Sequence, residues 1–207
     1  MITALKWILN KLEHIAQQFR SSSSADAEDC IMNADERNKL FLLEMYCGCG
    51  AHTMPIALSG LFDMIVCVEL DQRLVDACIE NAALNNCRYN GGVSCCSNDT
   101  KTLNRDITPV HVQQGDAGQW ATKALTRSYH ALLVDPPRAG LDKTVCDMVQ
   151  QGPFEHLLYI SCGRKALTKD LAILNEGGFD VVDIVVTDLF PRTDAVESLV
   201  HLKRRSA

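Results

Sequence analysis

Residues 41–50, FLLEMYCGCG, decide the fold class of this chain: a short apolar run ends in a turn with two glycines, and a helix-like stretch follows at 51–59. The first run is FLLEMY (41–46), and the same alternation continues along the chain. Six further short apolar runs are MIVCVE (64–69), VHVQQ (110–114), ALLVD (131–135), HLLYIS (156–161), FDVVDIVV (179–186) and ESLVHL (197–202). Amphipathic stretches of helical length lie at 71–86, 117–126, 141–150 and 165–174.

Strands that alternate with helices predict an α/β fold with a mostly parallel sheet, here of seven strands. Near-continuous apolar runs are typical of strands that are buried on both faces. The last two runs are separated only by TDLFPRTDA, which is too short for a crossover helix. They therefore predict a terminal antiparallel pair, with an antiparallel C-terminal strand.

The chain begins with a segment of different character. Apolar residues recur at helical spacing over 3–19, and the polar stretch SSSSADAED follows. Residues 1–38 are therefore predicted to be a helix and a linker, and residues 39–207 a single domain. A polar stretch with two adjacent glycines at 88–108 is predicted to be a surface insertion.

Cysteine usage indicates the cellular compartment. None of the ten cysteines forms a Cys-x-x-Cys pair, so no structural metal site is predicted. Most lie in apolar runs, where reduced cysteine behaves as a small apolar residue. Reduced thiols indicate an intracellular, reducing compartment, whether cytoplasm, nucleus or organelle matrix. No apolar run approaches the ~20 residues that span a bilayer, and the N-terminus is not typical of a signal peptide, so no membrane association is expected.

The glycines after the first strand indicate a ligand site. Gly48 and Gly50 allow close approach of a ligand to the backbone, and Glu69 ends the second strand, where a carboxylate can hold two ribose hydroxyls. This pattern suits a dinucleotide or S-adenosylmethionine. Thr53 stands where the dinucleotide motif requires a third glycine. A packing turn without any cofactor also fits this motif. Asp116, after the third strand, suits an adenine edge or a plain helix cap.

Two further strand ends carry chemistry. The fourth strand ends in Asp135-Pro136-Pro137-Arg138, and the prolines hold Asp135 at the carboxyl edge, where ligands bind in open α/β sheets. The fifth strand runs into Cys162, which precedes a helix; a helix N-terminus and a nearby cation favour the thiolate. A buried structural cysteine is the alternative.

These segments resemble the catalytic domain of the tRNA and rRNA uracil-5-methyltransferase family. The matching segments are LLEMYCGCG, VELDQRLVDACIENAALNN, DPPRAGLD, YISC and FPRTDAVE, in the family's order, over residues 41–203. The resemblance implies a Rossmann-like class I methyltransferase fold. It also implies transfer of a methyl group from S-adenosylmethionine to C5 of a uridine in tRNA or rRNA, through a covalent cysteine adduct at C6.

The resemblance further implies a role for each matching residue. Residues that would hold the cofactor are Tyr46, Gly48 and Gly50 at its methionine part, Glu69 at its ribose, Asp116 near its adenine and Asp135 between cofactor and base. Residues that would act on the uracil are Cys162 as nucleophile, Glu197 as base and Arg138, which would orient the uracil or Asp135. A solvated strand-end carboxylate is the alternative for Glu197.

The chain departs from the family at several places. Gly163-Arg164 replaces Asn-Pro after the cysteine, Ala195 replaces a histidine, and Ala51 replaces a polar residue. These changes bear on substrate and rate more than on reaction type, and leave open a weakened or inactive paralogue. The family's upstream β-barrel RNA-binding domain has no counterpart here. A truncated sequence or a separate RNA-binding partner would explain that, together with the net charge of −6.

Three other functions also fit parts of the sequence. An amine-directed nucleic-acid methyltransferase would use the Asp-Pro-Pro loop and need no cysteine nucleophile. A non-catalytic module would retain only the cofactor fold. A nicotinamide-dependent oxidoreductase is disfavoured by Thr53 and by the lack of a recognisable hydride-transfer constellation.

Overall fold

A computed structural model describes residues 2–22, 39–89, 107–124, 129–188, 192–193 and 196–206. Its helices are α1 (Ile2–Ser22), α2 (Thr53–Leu58), α3 (Gln72–Leu84), α4 (Ala117–Ala124), α5 (Lys143–Gln151) and α6 (Arg164–Glu176). Its strands are β1 (Phe41–Met45), β2 (Met64–Glu69), β3 (Val110–Gln114), β4 (Ala131–Val134), β5 (His156–Ser161), β6 (Phe179–Thr187) and β7 (Glu197–Arg204). The predicted strands are confirmed, with boundaries shifted by a residue or two at most.

The seven strands of the described residues form one sheet in the order β3-β2-β1-β4-β5-β7-β6. Neighbouring strands from β3 to β5 are parallel, whereas β7 runs antiparallel to both β5 and β6. The predicted antiparallel C-terminal strand is therefore confirmed. The chain order reverses between β1 and β4, which is the point where open α/β sheets bind ligands at their carboxyl ends.

Both faces of the sheet are covered by helices. On one face Leu42 and Leu133 belong to an apolar cluster with residues of α1, α2 and α3. On the other face Leu43 and Leu132 belong to a cluster with residues of α4, α5 and α6. All five residues of β1 are buried, as the continuous apolar run predicts. Each fully buried leucine stabilises the fold by about 1.5–3 kcal/mol.

Helix α1 packs against this core. Ile8, Leu12 and Ile15 lie on one face of the helix and are buried in the first cluster. At the helix surface, the indole Nε1 of Trp7 donates a hydrogen bond of 3.1 Å to Asp183 of β6. The predicted linker and most of the predicted insertion at 88–108 lie outside the described residues. None of the helices in the described ranges is long and apolar enough to cross a membrane.

Candidate active site

Side chains of α2 and α3 pack against the glycine turn that follows β1. Tyr46, Gly48 and Gly50 all have positive φ, at 63°, 55° and 85°. A Cβ atom at position 50 would lie 2.9 Å from the Sγ of Cys78 in α3 and 3.0 Å from the Cε of Met54, so this position has no room for a side chain. Nothing lies within 4 Å of a Cβ at Gly48. The turn is therefore closely packed at Gly50, whereas there is free space next to the backbone at Gly48.

Glu69 is held at the end of β2 by two backbone groups. Its Oε2 accepts a hydrogen bond of 2.9 Å from the N–H of Gly48, and its Oε1 accepts one of 2.9 Å from the N–H of Asp71. A carboxylate has about four acceptor positions, so both oxygens can accept further hydrogen bonds. The backbone of two separate loops therefore fixes the direction in which Glu69 presents its remaining acceptors.

A cavity of ≈ 480 Å³ lies at the carboxyl ends of β1 to β4. Of the predicted cofactor residues, those that line it are Tyr46, Glu69, Asp116 and Asp135. Gly48 adjoins it through its hydrogen bond to Glu69, and Gly50 supports the turn beneath. Burial, followed by the charges of Asp142 and Asp116, raises the pKa of the Tyr46 hydroxyl, which therefore stays protonated.

Asp116 also caps a helix. Its Oδ1 accepts a hydrogen bond of 3.0 Å from the N–H of Gln119 in the first turn of α4. The plain capping alternative is thus correct as a description of this contact. It does not exclude a ligand contact, because the other oxygen is not used in capping and the residue lines the cavity.

The loop after β4 lies directly on the turn after β5. A Cβ atom at Gly163 would stand 2.6 Å from the carbonyl oxygen of Arg138. The departure from the family's asparagine at this position therefore has a packing reason in this chain: the loop occupies the space that a side chain would need. The side chain of Arg138 itself is exposed, and its predicted orienting role stays a prediction.

The pairing of β5 with β7 brings Glu197 toward Cys162. The two strands are antiparallel, and the last register pair is Ser161 with Ser198. The next residues along the two strands are Cys162 and Glu197, and both are half-buried. Burial, followed by the charge of Asp135, raises the pKa of the Glu197 carboxyl, and His52 opposes that rise. The predicted nucleophile, the predicted base and Asp135 therefore gather at one edge of the sheet.

His52 was not predicted from the sequence as a site residue. It precedes α2, and its Nε2 lies 3.4 Å from the Oδ2 of Asp135. Burial lowers the pKa of His52, but the hydrogen bond to Asp135 and the charges of Glu44, Asp135 and Glu197 outweigh burial and raise it overall. The sequence signal was only a histidine two residues after the second glycine, which helical periodicity does not distinguish from any other helix-start residue.

The family model for tRNA (uracil-5-)-methyltransferase matches residues 26–205, which is most of the chain. The chain belongs to this family. It is 32% identical over 170 residues to a tRNA/tmRNA (uracil-C(5))-methyltransferase of Pseudoalteromonas atlantica, covering 79% of this chain and 42% of that protein. It is 34% identical over 168 residues to the tRNA/tmRNA (uracil-C(5))-methyltransferase of a Marinomonas species, covering 80% and 43%.

This uracil-5-methyltransferase family member spans less than half the length of the curated relatives it matches. Among solved structures it is similar to the Pyrococcus abyssi tRNA (uracil-54, C5)-methyltransferase in complex with S-adenosyl-L-homocysteine. The TM-score is 0.61 at 19% identity, over 91% of this chain and 38% of that one. At this identity the likeness supports the class I methyltransferase fold.

Asp170 is a second residue of this family member that the sequence did not indicate, and it connects segments around the site by hydrogen bonds. Asp170 of α6 is buried, and its Oδ2 accepts hydrogen bonds from the Leu141 N–H at 2.8 Å and from the Tyr159 hydroxyl at 2.6 Å. One carboxylate thus links α6 to the end of the Asp-Pro-Pro loop and to β5. No pattern in the sequence marks Asp170, because helical spacing alone places it among the ordinary polar residues of α6.

Proposed function

We propose that this chain is the catalytic part of an S-adenosylmethionine-dependent RNA uracil-5-methyltransferase, in which Cys162 is the nucleophile and Glu197 the base. The observation that carries the proposal is the β5–β7 register: its last pair is Ser161 with Ser198, and Cys162 and Glu197 are the residues next to that pair, at the sheet edge near Asp135. A free thiol beside a carboxylate is the minimum set for this reaction.

The cavity next to these residues suits the cofactor. Among the described residues that line it are four carboxylates, Glu69, Asp116, Asp135 and Asp142, and no lysine or arginine. Such a lining favours a cationic ligand and disfavours the diphosphate of a dinucleotide. When bound, S-adenosylmethionine would supply an electrophilic methyl group on a positively charged sulfur. Glu69 would accept hydrogen bonds from the ribose hydroxyls, and the open side of Gly48 would face the methionine part.

The protein groups would act on the uracil in two stages. The Cys162 thiolate adds to C6, forming the S–C6 bond, and the C5–C6 π electrons move onto the C4 carbonyl as an enolate, so that C5 becomes nucleophilic. After C5 is methylated, Glu197 removes the C5 proton. The electrons of the C5–H bond re-form the C5–C6 double bond as the S–C6 bond breaks, and Cys162 leaves as thiolate. The raised pKa of Glu197 strengthens it as a base.

The substrate would be a uridine in tRNA or, as the alternative, in rRNA. The uracil has to leave its stack to reach a recessed thiol. Phosphate contacts normally supply most non-specific RNA affinity, yet the chain has a net charge of −6. We infer that RNA binding depends on a further domain or a partner protein. A reduced catalytic thiol is most readily maintained in a reducing intracellular compartment, which is the compartment we propose.

The test uses RNA that traps the adduct. The chain is incubated with S-adenosylmethionine and a tRNA transcript containing 5-fluorouridine, at RNA concentrations that saturate binding. Fluorine at C5 blocks the final proton removal, so a covalent protein–RNA complex is expected with the wild type. Cys162→Ala should form none while still binding the cofactor in calorimetry. The matched control is Cys87→Ala. Cys87 is a buried cysteine near the start of β3, an outer strand that β2, β1 and β4 separate from β5.

Other outcomes would favour the rival functions. Methyl transfer to an exocyclic amine, with no trapped adduct, would replace the proposal with an amine-directed methyltransferase. Cofactor binding without methyl transfer to any RNA, even when the RNA-binding partner is present, would indicate a non-catalytic module.

A further inference from the structure

Three carboxylates from three separate segments of the chain lie near a single imidazole. Glu44 comes from β1, Asp135 follows β4 and Glu197 begins β7, and each acts on the charge of His52. A direct contact joins the His52 Nε2 to the Asp135 Oδ2, at 3.4 Å. The side chain of His52 is only 20% exposed, so its environment is mainly protein.

Without a nearby cation, the ionised forms of these carboxylates would be energetically unfavourable. Glu44 is 2% exposed, and burial is the main reason that its pKa rises to about 7. Burial and then the charge of Asp135 raise the pKa of Glu197. Burial and a neighbouring like charge both disfavour the ionised form of a carboxyl group. His52 acts against this effect on both Glu44 and Glu197.

We propose that His52 is a positioning residue for the proposed reaction: it orients Asp135 by a hydrogen bond and, as an imidazolium, supplies a positive charge near Glu197, the proposed base. This inference rests on the proposed function, because it assigns a purpose to the pair only if Glu197 is the base. The orienting and the electrostatic parts are separable. A neutral hydrogen-bond donor at position 52 would retain the first and lose the second.

The experiment measures the single-turnover release of methylated RNA from the enzyme, at saturating tRNA transcript, as a function of pH, because the base acts after the methyl transfer. His52→Gln keeps an N–H donor but no charge, so the acidic limb of the profile should move by about one pH unit to higher pH, with the plateau rate nearly retained. His52→Ala removes both contributions, so the limb should move and the plateau should also fall, by roughly tenfold. His14→Gln, an exposed histidine of α1, is the matched control and should leave the profile unchanged.

Two results would overturn the role of His52. One is an acidic limb that stays in place in both His52 variants while thermal unfolding shows them folded. The other comes from NMR titration of the His52 ring in the wild type and in Asp135→Asn: loss of the partner should lower the pKa of His52, and an unchanged pKa would refute the coupling. This second measurement stands even if the position 52 variants fold poorly.

Failure of the proposed function is distinguishable from failure of this inference. If the wild type forms no Cys162-dependent adduct with 5-fluorouridine RNA, the reaction itself is wrong. If the adduct forms in the wild type and in His52→Gln but the pH profiles coincide, only the role of His52 is wrong.

Discussion

Gly163 lies so close to Arg138 that a Cβ atom at position 163 would stand 2.6 Å from the Arg138 carbonyl oxygen. This contact joins the turn that carries Cys162 to the loop that carries Asp135. The distance between Cys162 and Asp135 therefore depends on the absence of a side chain at position 163.

Gly163→Ala should push the two loops apart. We expect a loss of about 1–3 kcal/mol in the free energy of unfolding, since overpacking forces backbone shifts, and a fall in methyl transfer larger than this stability loss explains. Urea unfolding and single-turnover assays measure the two effects. For stability, Gly115→Ala is the control, because its Cβ would make an ordinary contact of 3.5 Å with Trp120. Full activity in Gly163→Ala would show that the loop spacing is not critical.

Alanine substitutions at the two glycines of the β1 turn should affect different properties: stability at Gly50 and cofactor binding at Gly48. Gly50→Ala combines a φ of 85° with close contacts to Cys78 and Met54, so it should cost about 2–4 kcal/mol of stability. Gly48→Ala has free space and a φ of 55°, so it should cost only about 1 kcal/mol. If the cofactor approaches Gly48, calorimetry should instead show roughly tenfold weaker S-adenosylmethionine binding for Gly48→Ala. Equal effects of the two changes on stability would contradict this distinction.

Glu69→Ala should weaken cofactor binding without abolishing turnover. The carboxylate is held by the N–H groups of Gly48 and Asp71, and its loss removes the proposed acceptor for the ribose hydroxyls. We expect a 10- to 100-fold rise in the Kd for S-adenosylmethionine, as an order-of-magnitude figure, with the rate at saturating cofactor nearly retained. Glu80→Ala, an exposed glutamate of α3, serves as the control. An unchanged Kd would remove Glu69 from the cofactor site.

Glu197→Gln should separate methyl transfer from product release. Without a base at this position, the C5 proton stays in place and the S–C6 bond cannot break. We therefore expect a methylated covalent adduct to accumulate on ordinary uridine RNA, detectable by denaturing electrophoresis and mass spectrometry. In the double variant with Cys162→Ala no adduct should form. Normal product release by Glu197→Gln would mean that another group removes the proton.

A buried histidine pair should make the fold sensitive to acid. The Nδ1 of His156 lies 3.0 Å from the Nε2 of His201, and burial is the main cause that lowers the pKa of each from 6.5 to about 4. Between these values the unfolded chain binds more protons than the folded one, so stability is full above about pH 6.5 and falls toward pH 4. The loss should reach about 3 kcal/mol for a single histidine.

The measurement is the free energy of unfolding in urea as a function of pH. His201→Gln should reduce the slope in this window, whereas His14→Gln should not. The buried Glu44 acts in the opposite direction, since its pKa is raised to about 7 and it favours folding as the pH falls. Comparison of variants at each pH therefore isolates the histidines. Equal slopes in His201→Gln and the wild type would show that the pair does not control acid stability.

The sequence alone predicted the elements and much of the sheet edge. Apolar runs, glycine turns and prolines depend on neighbours in the chain, so they located the strands, the turn at Gly48 and Gly50, and the strand ends that carry Glu69, Asp135 and Cys162. The family resemblance supplied Glu197 and the reaction. Neither local pattern nor resemblance pointed to His52 or Asp170.

Those two residues became visible only in the tertiary structure, as did the contact of Gly163 with Arg138. Strand β7 lies between β5 and β6. Its pairing with β5 ends at Ser161 and Ser198, so the adjacent residues Cys162 and Glu197 come from the same end of the two strands. His52 meets Asp135 because β1 and β4 are neighbours in the sheet although far apart in the chain. Local propensities specify which residues form a strand, whereas strand order and register follow from burial of apolar faces between distant segments, and only these bring the charges of the site together.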